Sequence, residues 1–343
     1  MAPGRITGTL IHPKGNISEL LLAEGLAKCA DWSIKYYTAG PVENLRKSQN
    51  TAKAARKRLW TGYKAPTEDL GTAINFNAIV KQIVTTDTVI VKKTESKEEV
   101  RLTLSSVRAL NKSDFSDSWK SKIEETERQK AVQKLQFSPI LDMPVNFEAK
   151  EFMRKKIIGQ RVKVSIDYKQ EARSIELNGR TQSFPERLCA TVQYGDTNIA
   201  EAMALRGYVK VITHSASDDK RSIKYDDLTK AELKAQSTKK GIWDTKLSLP
   251  RVIEITGKER ASPFFTQYQR SGMVKVVVDY VFSANRLKCY VPKDNINIMV
   301  IIAGLEAPKV GMMKGGVREK SEEYALEGMN FTRDKIMQCE VSS

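Results

Sequence analysis

The side chains that most often act as nucleophiles or hold metals are scarce in this sequence. Its two histidines, His12 and His214, stand in no recognisable motif, and we interpret them as exposed or hydrogen-bonded residues near strand ends. The four cysteines form no CxxC pair and lie far apart, at Cys29, Cys189, Cys289 and Cys339. A histidine metal site is therefore excluded and a Ser/His/Asp site has few available members. The thiols are expected to be reduced and buried in a cytosolic or nuclear protein.

Lysine and arginine are abundant instead, and one run of them falls near helical spacing. Arg46, Lys53 and Lys57 recur on one side of a predicted helix over 45–60, where they could contact phosphate groups. A solvated helix face is the alternative interpretation of such a run. The sequence alone leaves both interpretations open.

The net charge favours an anionic partner. The 343 residues include 57 lysines and arginines against 41 acidic residues, a formal charge of +16. Such an excess favours nucleic acid or an acidic surface, although many abundant cytosolic proteins are also basic. Hydrophobic residues make up 41% of the chain, enough for packed cores, and the length suggests two or three domains. No apolar run approaches the roughly 20 residues of a membrane span, and no signal peptide is recognised, so we expect a soluble protein.

Internal repeats define the organisation that must position these residues. The segment GNISELLLAEGLAK at 15–28 returns as TNIAEAMALRGYVK at 197–210. Each copy predicts a short amphipathic helix, capped by Asn16 or Asn198 and ended by Gly25 or Gly207. A second helix ending in tryptophan is predicted after each copy, over 42–60 and 226–243.

A second unit recurs at an offset of 198 residues. Alternating apolar and polar residues over 74–110 and 273–308 predict antiparallel strands with one buried face. Helices are predicted after these strands, over 148–157 and 323–337. Strands followed by helices indicate an α+β fold, a small barrel with helices packed on one end. Two polar inserts, 112–137 and 311–320, are interpreted as solvated loops, with a surface helix as the alternative for the first.

The repeat order predicts three segments. Residues 1–65 would be the back part of one repeat, 66–248 a complete repeat, and 249–343 the front part of another. Incomplete repeats expose apolar edges and faces. We therefore expect the two end segments either to pack against the central repeat or to complement each other, within one chain or between two copies.

Four stretches resemble the staphylococcal-nuclease-like repeats of the Tudor-staphylococcal nuclease family. They are NISELLLAEGLAKCADWSIKYY, NIAEAMALRGYVKV, NFEAKEFMRKKIIGQRVKV and LKCYVPKDNINIMVIIAGLEAP. The resemblance runs from about residue 5 to the end and implies a fragment of a longer protein, covering the end of the second repeat, the third, and the start of the fourth. It implies tandem OB-type barrels of five strands with three helices each. The family's Tudor domain is not found in this sequence.

The resemblance also implies where a nuclease site would lie in the central repeat. The family's founding nuclease uses carboxylates that hold Ca²⁺, a glutamate base and two arginines. Asp87 matches the first metal carboxylate and Arg187 the later arginine. Three other positions depart from the pattern: Thr103 replaces the first arginine, Arg108 the second metal aspartate, and Asn111 the base. A cation at a metal position opposes Ca²⁺ binding, and an amide cannot accept a proton from water.

The end segments depart from that pattern as well. In the last one, Asn285 stands at the first metal position, Ile301 replaces the first arginine, Glu306 keeps the second carboxylate and Lys309 replaces the base. In the first segment the resemblance matches only one position of the catalytic pattern, the later arginine, which is Arg5. The cations Arg5, Arg108, Arg187 and Lys309 would make the ancestral cleft attractive to phosphate.

The function expected from this resemblance is an RNA-binding scaffold with degenerate nuclease clefts. Its expected partners are single- or double-stranded RNA and proteins of silencing and transcription complexes, with no membrane and with self-association through the end segments. One alternative is a Ca²⁺-dependent endoribonuclease acting on structured or edited RNA, and another is a protein scaffold without RNA contact. No cofactor is expected, apart from Ca²⁺ if nuclease activity remains. The expected location is the cytoplasm, with the nucleus as a second compartment.

Overall fold

A computed structural model describes most of the chain. The described residues are 8–13, 15–34, 37, 40–63, 75–132, 138–177, 180–214, 220–249, 252–255, 258–311, 313–314 and 317–342. Their contacts divide the chain into two compact units. The first unit contains described residues up to 76 together with 102–108 and 164–243, and the second contains 77–101, 109–163 and the residues from 244 onward.

The secondary structure follows the predicted order of helices, strands and helices. The first segment contains β1 (Ile11–His12), β2 (Gly15–Asn16), α1 (Ile17–Ala23), α2 (Asp31–Ile34) and α3 (Val42–Ala54). The central segment contains β3 (Asn75–Thr85), β4 (Thr88–Lys93), β5 (Glu99–Leu104), β6 (Val107–Arg108), α4 (Asp117–Val132), α5 (Pro139–Asp142), α6 (Asn146–Ile157), β7 (Arg161–Gln170), β8 (Arg173–Leu177), β9 (Arg180–Phe184), β10 (Arg187–Tyr194), β11 (Thr197–Asn198), α7 (Ile199–Ala204), β12 (Lys210–Val211) and α8 (Tyr225–Ser237). The last segment contains β13 (Ile253–Glu254), α9 (Lys258–Ser271), β14 (Lys275–Ser283), β15 (Arg286–Val291), β16 (Ile296–Ile301), β17 (Met313–Lys314), β18 (Val317–Arg318), α10 (Ala325–Ile336) and β19 (Glu340–Ser342).

The central strands close into a small barrel. Their order is β11–β10–β5–β4–β3–β7, and β10 also pairs with β7, so five strands form a closed ring. β3 and β4 form an antiparallel hairpin, whereas β5 and β10 run parallel. The predicted α+β architecture with an OB-type barrel is therefore confirmed. The last segment has a sheet of related order, β13–β16–β15–β14–β19.

The two copies of the short capped helix form as predicted. The side chains of Asn16 and Asn198 accept hydrogen bonds from the backbone two residues further on, at 2.9 and 3.1 Å, and so cap α1 and α7. Gly25 and Gly207 have positive φ angles of 65° and 67°. A Cβ atom at either would lie 2.5 or 2.3 Å from a backbone carbonyl oxygen, so glycine is required there for both conformation and space.

Other predicted boundaries need correction. The helices predicted over 42–60 and 226–243 end earlier, at Ala54 and Ser237, and the tryptophans lie in separate 3₁₀ turns, Arg58–Trp60 and Gly241–Trp243. The solvated loop preferred over 112–137 was wrong and the alternative, a surface helix, is confirmed, because α4 occupies much of this insert. Ile123 is fully buried and anchors this otherwise polar helix, a single contact that composition does not reveal.

Both end segments contact the central repeat, the first of the two arrangements expected from their incomplete barrels. In the second unit the contacts are reciprocal. Helix α6 of the central repeat lies on the β14–β15 sheet, where Phe147 packs edge-to-face on Tyr290 and Lys150 pairs with Asp279. Helix α10 of the last segment meets the β3–β4 sheet in the same way, and Asp334 pairs with Lys92 at 3.0 Å.

Two β-bulges in each first strand make this contact possible. In β3 the register shifts around Lys81 and again around Val84, and in β14 it shifts around Asp279 and Phe282. These are the same positions in the two repeats. A bulge turns an extra side chain away from the regular pleat. Lys81 donates to the Asp334 carbonyl oxygen at 3.1 Å, and Asp279 binds the lysine of α6, so the first bulge in each strand faces the neighbouring helix.

Gln338 adds a contact between the last segment and the central barrel. Its side chain accepts a hydrogen bond from the Ile83 N–H at 2.7 Å and donates one to the Ile83 carbonyl at 2.9 Å. Gln338 is 2% exposed and has a positive φ of 57°, a conformation that costs a non-glycine residue free energy. Two backbone groups of β3 therefore depend on one amide from far along the chain.

We expect Gln338→Ala to lower the free energy of unfolding by about 1–3 kcal/mol, because both Ile83 backbone groups lose their partner in a buried site. Gln338→Gly removes the same hydrogen bonds but relieves the positive φ, so its loss should be smaller by about 1 kcal/mol. Urea unfolding of the two variants tests this order. Equal stability of wild type and Gln338→Ala would contradict it.

Candidate nucleic-acid interface

Asp87, the carboxylate predicted at a metal position, lies at the tip of the β3–β4 hairpin. Its Oδ1 accepts hydrogen bonds from the hydroxyls of Thr85 and Thr88, at 2.5 and 3.0 Å. Its Oδ2 accepts one from the Ala109 N–H at 2.8 Å. Asp87 thus ties the hairpin tip to the chain that follows the barrel strands.

The equivalent residue of the last repeat does the same with an amide. Asn285 lies at the tip of the β14–β15 hairpin, accepts from the Ser283 hydroxyl at 3.0 Å and donates to the Leu305 carbonyl at 2.9 Å. An acid in one repeat and an amide in the other thus make equivalent hydrogen bonds that join the hairpin tip to the following loop.

The residues around Asp87 do not fit a Ca²⁺ site. Calcium takes six to eight oxygen ligands, usually from several carboxylates. Within the described residues no group of three or more His, Cys, Asp or Glu side chains could hold a metal ion. Asn111, which replaces the base, instead caps a 3₁₀ turn by accepting from the Ser113 N–H at 3.0 Å.

The carboxylate and cation predicted in the last repeat both lie on an exposed loop. Glu306 and Lys309 are exposed. The Lys309 backbone N–H donates to the Glu322 carboxylate at 2.7 Å, and the Glu322 N–H donates back to the Lys309 carbonyl at 3.0 Å. Arg5 lies outside the described residues.

Two predicted phosphate-binding arginines lie on strands of the first unit. Arg108 lies in β6 and pairs directly across the ladder with Lys210 of β12, a cation that the sequence reasoning did not select. Lys210 lies 3.9 Å from the centre of the Trp243 ring and 3.8 Å from a carboxylate oxygen of Glu232. Arg187 begins β10 and is exposed. Like charges opposite each other in a ladder repel, and the longer contact with Glu232 at 3.8 Å offsets only part of the charge that Arg108 and Lys210 bring together.

Arg46, by contrast, is engaged by two carboxylates. Its guanidinium donates to Asp31 and to both oxygens of Asp226, at 3.1 and 2.9 Å for the latter. Arg221 approaches Asp31 as well, at 3.4 Å. The Arg46 side chain is only 12% exposed. Burial would lower the pKa of Arg46, but the hydrogen bonds that it donates to Asp226 and Asp31 outweigh burial and raise that pKa.

Lys53 and Lys57 are held by protein groups as well. Lys53 is 6% exposed and lies 4.7 Å from the centre of the buried Trp60 ring, a cation–π contact. Lys57 pairs with Glu24 at 3.1 Å on the surface. The hydrogen bonds from Arg58 and from Lys57 lower the pKa of Glu24. Arg46 therefore links the first segment to the central repeat, while Lys53 and Lys57 make contacts within the segment, and none of the three belongs to the proposed phosphate surface.

The structure also contains a polar cluster that no motif in the sequence indicates. His214 Nε2 lies 3.0 Å from Ser106 Oγ, a pairing seen in nucleophilic catalysis. Ser106 is fully buried, however, and its oxygen accepts the Ser222 N–H at 2.7 Å. No substrate reaches this hydroxyl, and the interpretation of His214 as a hydrogen-bonded residue is confirmed.

Asp167 lies in the same cluster. Its carboxylate accepts from the Thr191 hydroxyl at 2.7 Å, and Thr191 in turn lies 3.3 Å from Ser222 Oγ. Burial raises the pKa of Asp167, while hydrogen bonds from Ser105, Thr191 and Ser222 partly oppose the rise. The neutral acid is therefore favoured by folding.

Comparison with known proteins now assigns the chain to a family. Residues 101–245 match the family described as Staphylococcal nuclease homologue. Over 98% of its length the chain is 31% identical to Staphylococcal nuclease domain-containing protein 1 of Drosophila melanogaster. The chain is a staphylococcal-nuclease-like protein. The Schizosaccharomyces pombe protein of the same name is 28% identical, again over 98% of the chain.

Ribonuclease TUDOR 2 of Arabidopsis thaliana is also similar, with 28% identity over 94% of the chain. The chain spans about a third of the length of these relatives, 35%, 35% and 32% respectively. Among the helices that the structure describes, none has the length and apolar composition needed to cross a membrane.

We expect Arg46→Met to lower the free energy of unfolding by about 3 kcal/mol, because it leaves the buried Asp31 with only one cation. Urea unfolding measures this loss, and Lys57→Met, which breaks a surface pair, is the control that should change little. RNA affinity of the folded variant should stay within about threefold of wild type. A large loss of affinity at unchanged stability would show that Arg46 contacts phosphate.

A pH dependence follows from Asp167. Because its pKa is raised in the folded state, its favourable contribution is fully present below the unfolded value of 3.8 and is lost as pH rises through the folded pKa. The stability of wild type relative to Asp167→Asn should therefore fall as pH rises above 4. Asp117, whose pKa is lowered by the Lys120 hydrogen bond, should give the opposite sign in Asp117→Asn. Urea unfolding at several pH values measures both differences, and a flat profile for Asp167→Asn against wild type would contradict the assignment.

Proposed function

We propose that this chain is an RNA-binding scaffold whose nuclease-like clefts bind phosphate without cleaving it. The observation that carries the proposal is the cross-strand pair of Arg108 and Lys210, at the position where the founding nuclease has a metal carboxylate. In place of a site that attracts a divalent cation, the repeat presents two cations. A phosphodiester between them would relieve their repulsion and release counterions, which is the main driving force in binding to a polyanion.

The loss of hydrolysis follows from the same residues. A water nucleophile needs a base, and Asn111 is an amide whose side chain already caps a turn. Asp87 uses both of its carboxylate oxygens to tie down the hairpin. With no metal and no base, RNA in this cleft would be held intact.

An endoribonuclease is the second candidate, because two relatives of this chain are named Ribonuclease TUDOR. In that case parts of the longer protein would supply the carboxylates that this chain lacks. The third reading, a protein scaffold without RNA contact, rests on the same surfaces. We propose that the RNA-bound scaffold acts in silencing and transcription complexes, in the cytoplasm and nucleus.

The test is to incubate the chain with labelled single- and double-stranded RNA in Ca²⁺ or EGTA while measuring binding and cleavage. We expect salt-sensitive binding with intact RNA in both buffers. Arg108→Glu and Arg187→Glu should each weaken binding at least tenfold, since each reverses a charge facing phosphate. Lys230→Glu, a charge reversal on an exposed residue of α8, is the matched control and should weaken binding less.

Two outcomes would overturn the proposal. Fragments that form only in Ca²⁺ and vanish in Asp87→Ala would establish the ribonuclease. Absence of RNA binding at low salt would instead favour the third candidate, a protein scaffold without RNA contact.

A further inference from the structure

The outer face of the last repeat's sheet carries an exposed row of aromatic, aliphatic and cationic side chains. Tyr280, Lys288 and Met299 lie directly opposite one another on β14, β15 and β16. In the next row Arg286 pairs with Ile301. Tyr280, Met299 and Ile301 are 48%, 41% and 66% exposed, although neighbouring residues of the same strands form the buried core.

Phe282 completes this stacking face, which we define as Tyr280, Phe282, Arg286, Lys288, Met299 and Ile301. Phe282 occupies the second bulge of β14 and is 41% exposed. Its ring contacts Tyr280 edge-to-face, with centroids 4.9 Å apart, and the Arg286 guanidinium lies 5.8 Å from its centre. Two rings and a planar cation are thus presented together on one strand pair.

The stacking face adjoins a part of the same sheet that helix α6 covers. At its other end, Tyr290 and Asn297 line a small cavity with Phe147 and Lys150 of helix α6. The covering helix thus meets the sheet at the Tyr290 row, and the next rows along the strands are the exposed ones.

The charges around the face suit an anionic chain. The two acidic residues at its border are each paired with lysine, Asp279 with Lys150 and Glu254 with Lys288. Arg286 adds a positive charge beside the rings. The equivalent positions of the central repeat have no aromatic residues: Gln82 matches Tyr280 and Val84 matches Phe282. The aromatic pair is thus specific to the last repeat.

We propose that unpaired RNA bases stack on this face of the last repeat. The inference rests on the proposed RNA-binding function and assigns a different contribution to each repeat: the central one holds phosphate, and the last one holds bases. Aromatic rings with an adjacent guanidinium stack on any base, so the site takes single strands with little sequence preference. A duplex, whose bases are already stacked on each other, gains nothing from these rings.

The test measures binding of a labelled 12-nucleotide oligouridylate, and of a duplex of the same length, to the whole chain. Phe282→Leu and Tyr280→Leu keep apolar volume but remove the rings, and each should weaken single-strand binding roughly 5- to 50-fold. Duplex binding should stay within about twofold. The slope of affinity against salt should not change, because no phosphate contact is lost.

Two controls separate stacking from other effects. Phe282→Trp keeps a ring and should retain wild-type affinity within about threefold. Phe331→Leu alters another exposed aromatic, on α10 with Lys335 5.7 Å from its ring, and should have no effect. Thermal unfolding of each variant shows whether the sheet remains intact.

Several results would overturn the inference. One such result is that Phe282→Leu and Tyr280→Leu bind oligouridylate as the wild type does, while Arg108→Glu binds it more weakly. This result would refute base stacking on this face but would still support the proposed RNA-binding function. Equal losses for single strands and duplex would do the same. If these variants changed only the sedimentation of the free protein, the face would be a contact between copies. Failure of the wild type to bind any RNA would instead remove the proposed function itself.

Discussion

The position of each bulge in β3 and β14 determines how the last two repeats meet. A regular strand would alternate its side chains between core and solvent, and Lys81 and Asp279 would not both face a neighbouring helix. With the bulge, each strand keeps its core valines inside while one charged side chain reaches across. Because the same bulge occurs in both repeats, α6 and α10 dock reciprocally, as in a two-fold interface. The ion pair of Lys150 with Asp279 and the hydrogen bond from Lys81 to the Asp334 carbonyl both use a bulged residue.

The hairpin tips show that this fold accepts either an acid or an amide at one position. A side chain at the Asp87 position serves the fold by joining the hairpin to the following loop, whether it is an acid or an amide. Metal chemistry needs the negative charge as well, but the fold does not. In the proposed function Arg108, Asn111 and Lys309 stand where the family pattern has carboxylates, and the neighbouring strands form with these residues in place. Strand geometry and catalytic charge are separable features of this fold.

Short-range signals in the sequence predicted the repeated elements well. Asn16 caps the start of α1 by a local hydrogen bond, and Gly25 ends the turn after it by its backbone conformation. The same two residue types, Asn198 and Gly207, therefore identify α7 as the second copy. Alternation predicted the barrel strands for the same reason. The loop preferred in place of α4 shows the limit, because the helix is held by the buried Ile123 and by ion pairs such as Lys130 with Asp142, which composition does not reveal.

The predicted site was less accessible to sequence reasoning. Arg46 and Lys210 are similar cations by sequence, yet Arg46 is held closely by Asp31 and Asp226, whereas Lys210 has one carboxylate at 3.8 Å and lies across a ladder from Arg108. The carboxylate that each cation contacts is set by the tertiary fold, which pairs residues as much as 242 positions apart, as in Lys92 and Asp334. The aromatic pair on β14 had a weak signal, two rings spaced two residues apart in a valine-rich strand, but the bulge that exposes Phe282 had none.

The amide of Gln338 has a consequence for how the two repeats unfold. It completes the hydrogen bonding of a strand in the preceding barrel, so part of that barrel's stability is encoded 255 residues away from Ile83. In a linear array each repeat has an intrinsic stability and a separate coupling to its neighbour. Here the coupling passes through a core strand itself, and melting the end of α10 unpairs β3. We therefore expect the part of the central barrel around Ile83 to open together with the end of the last segment.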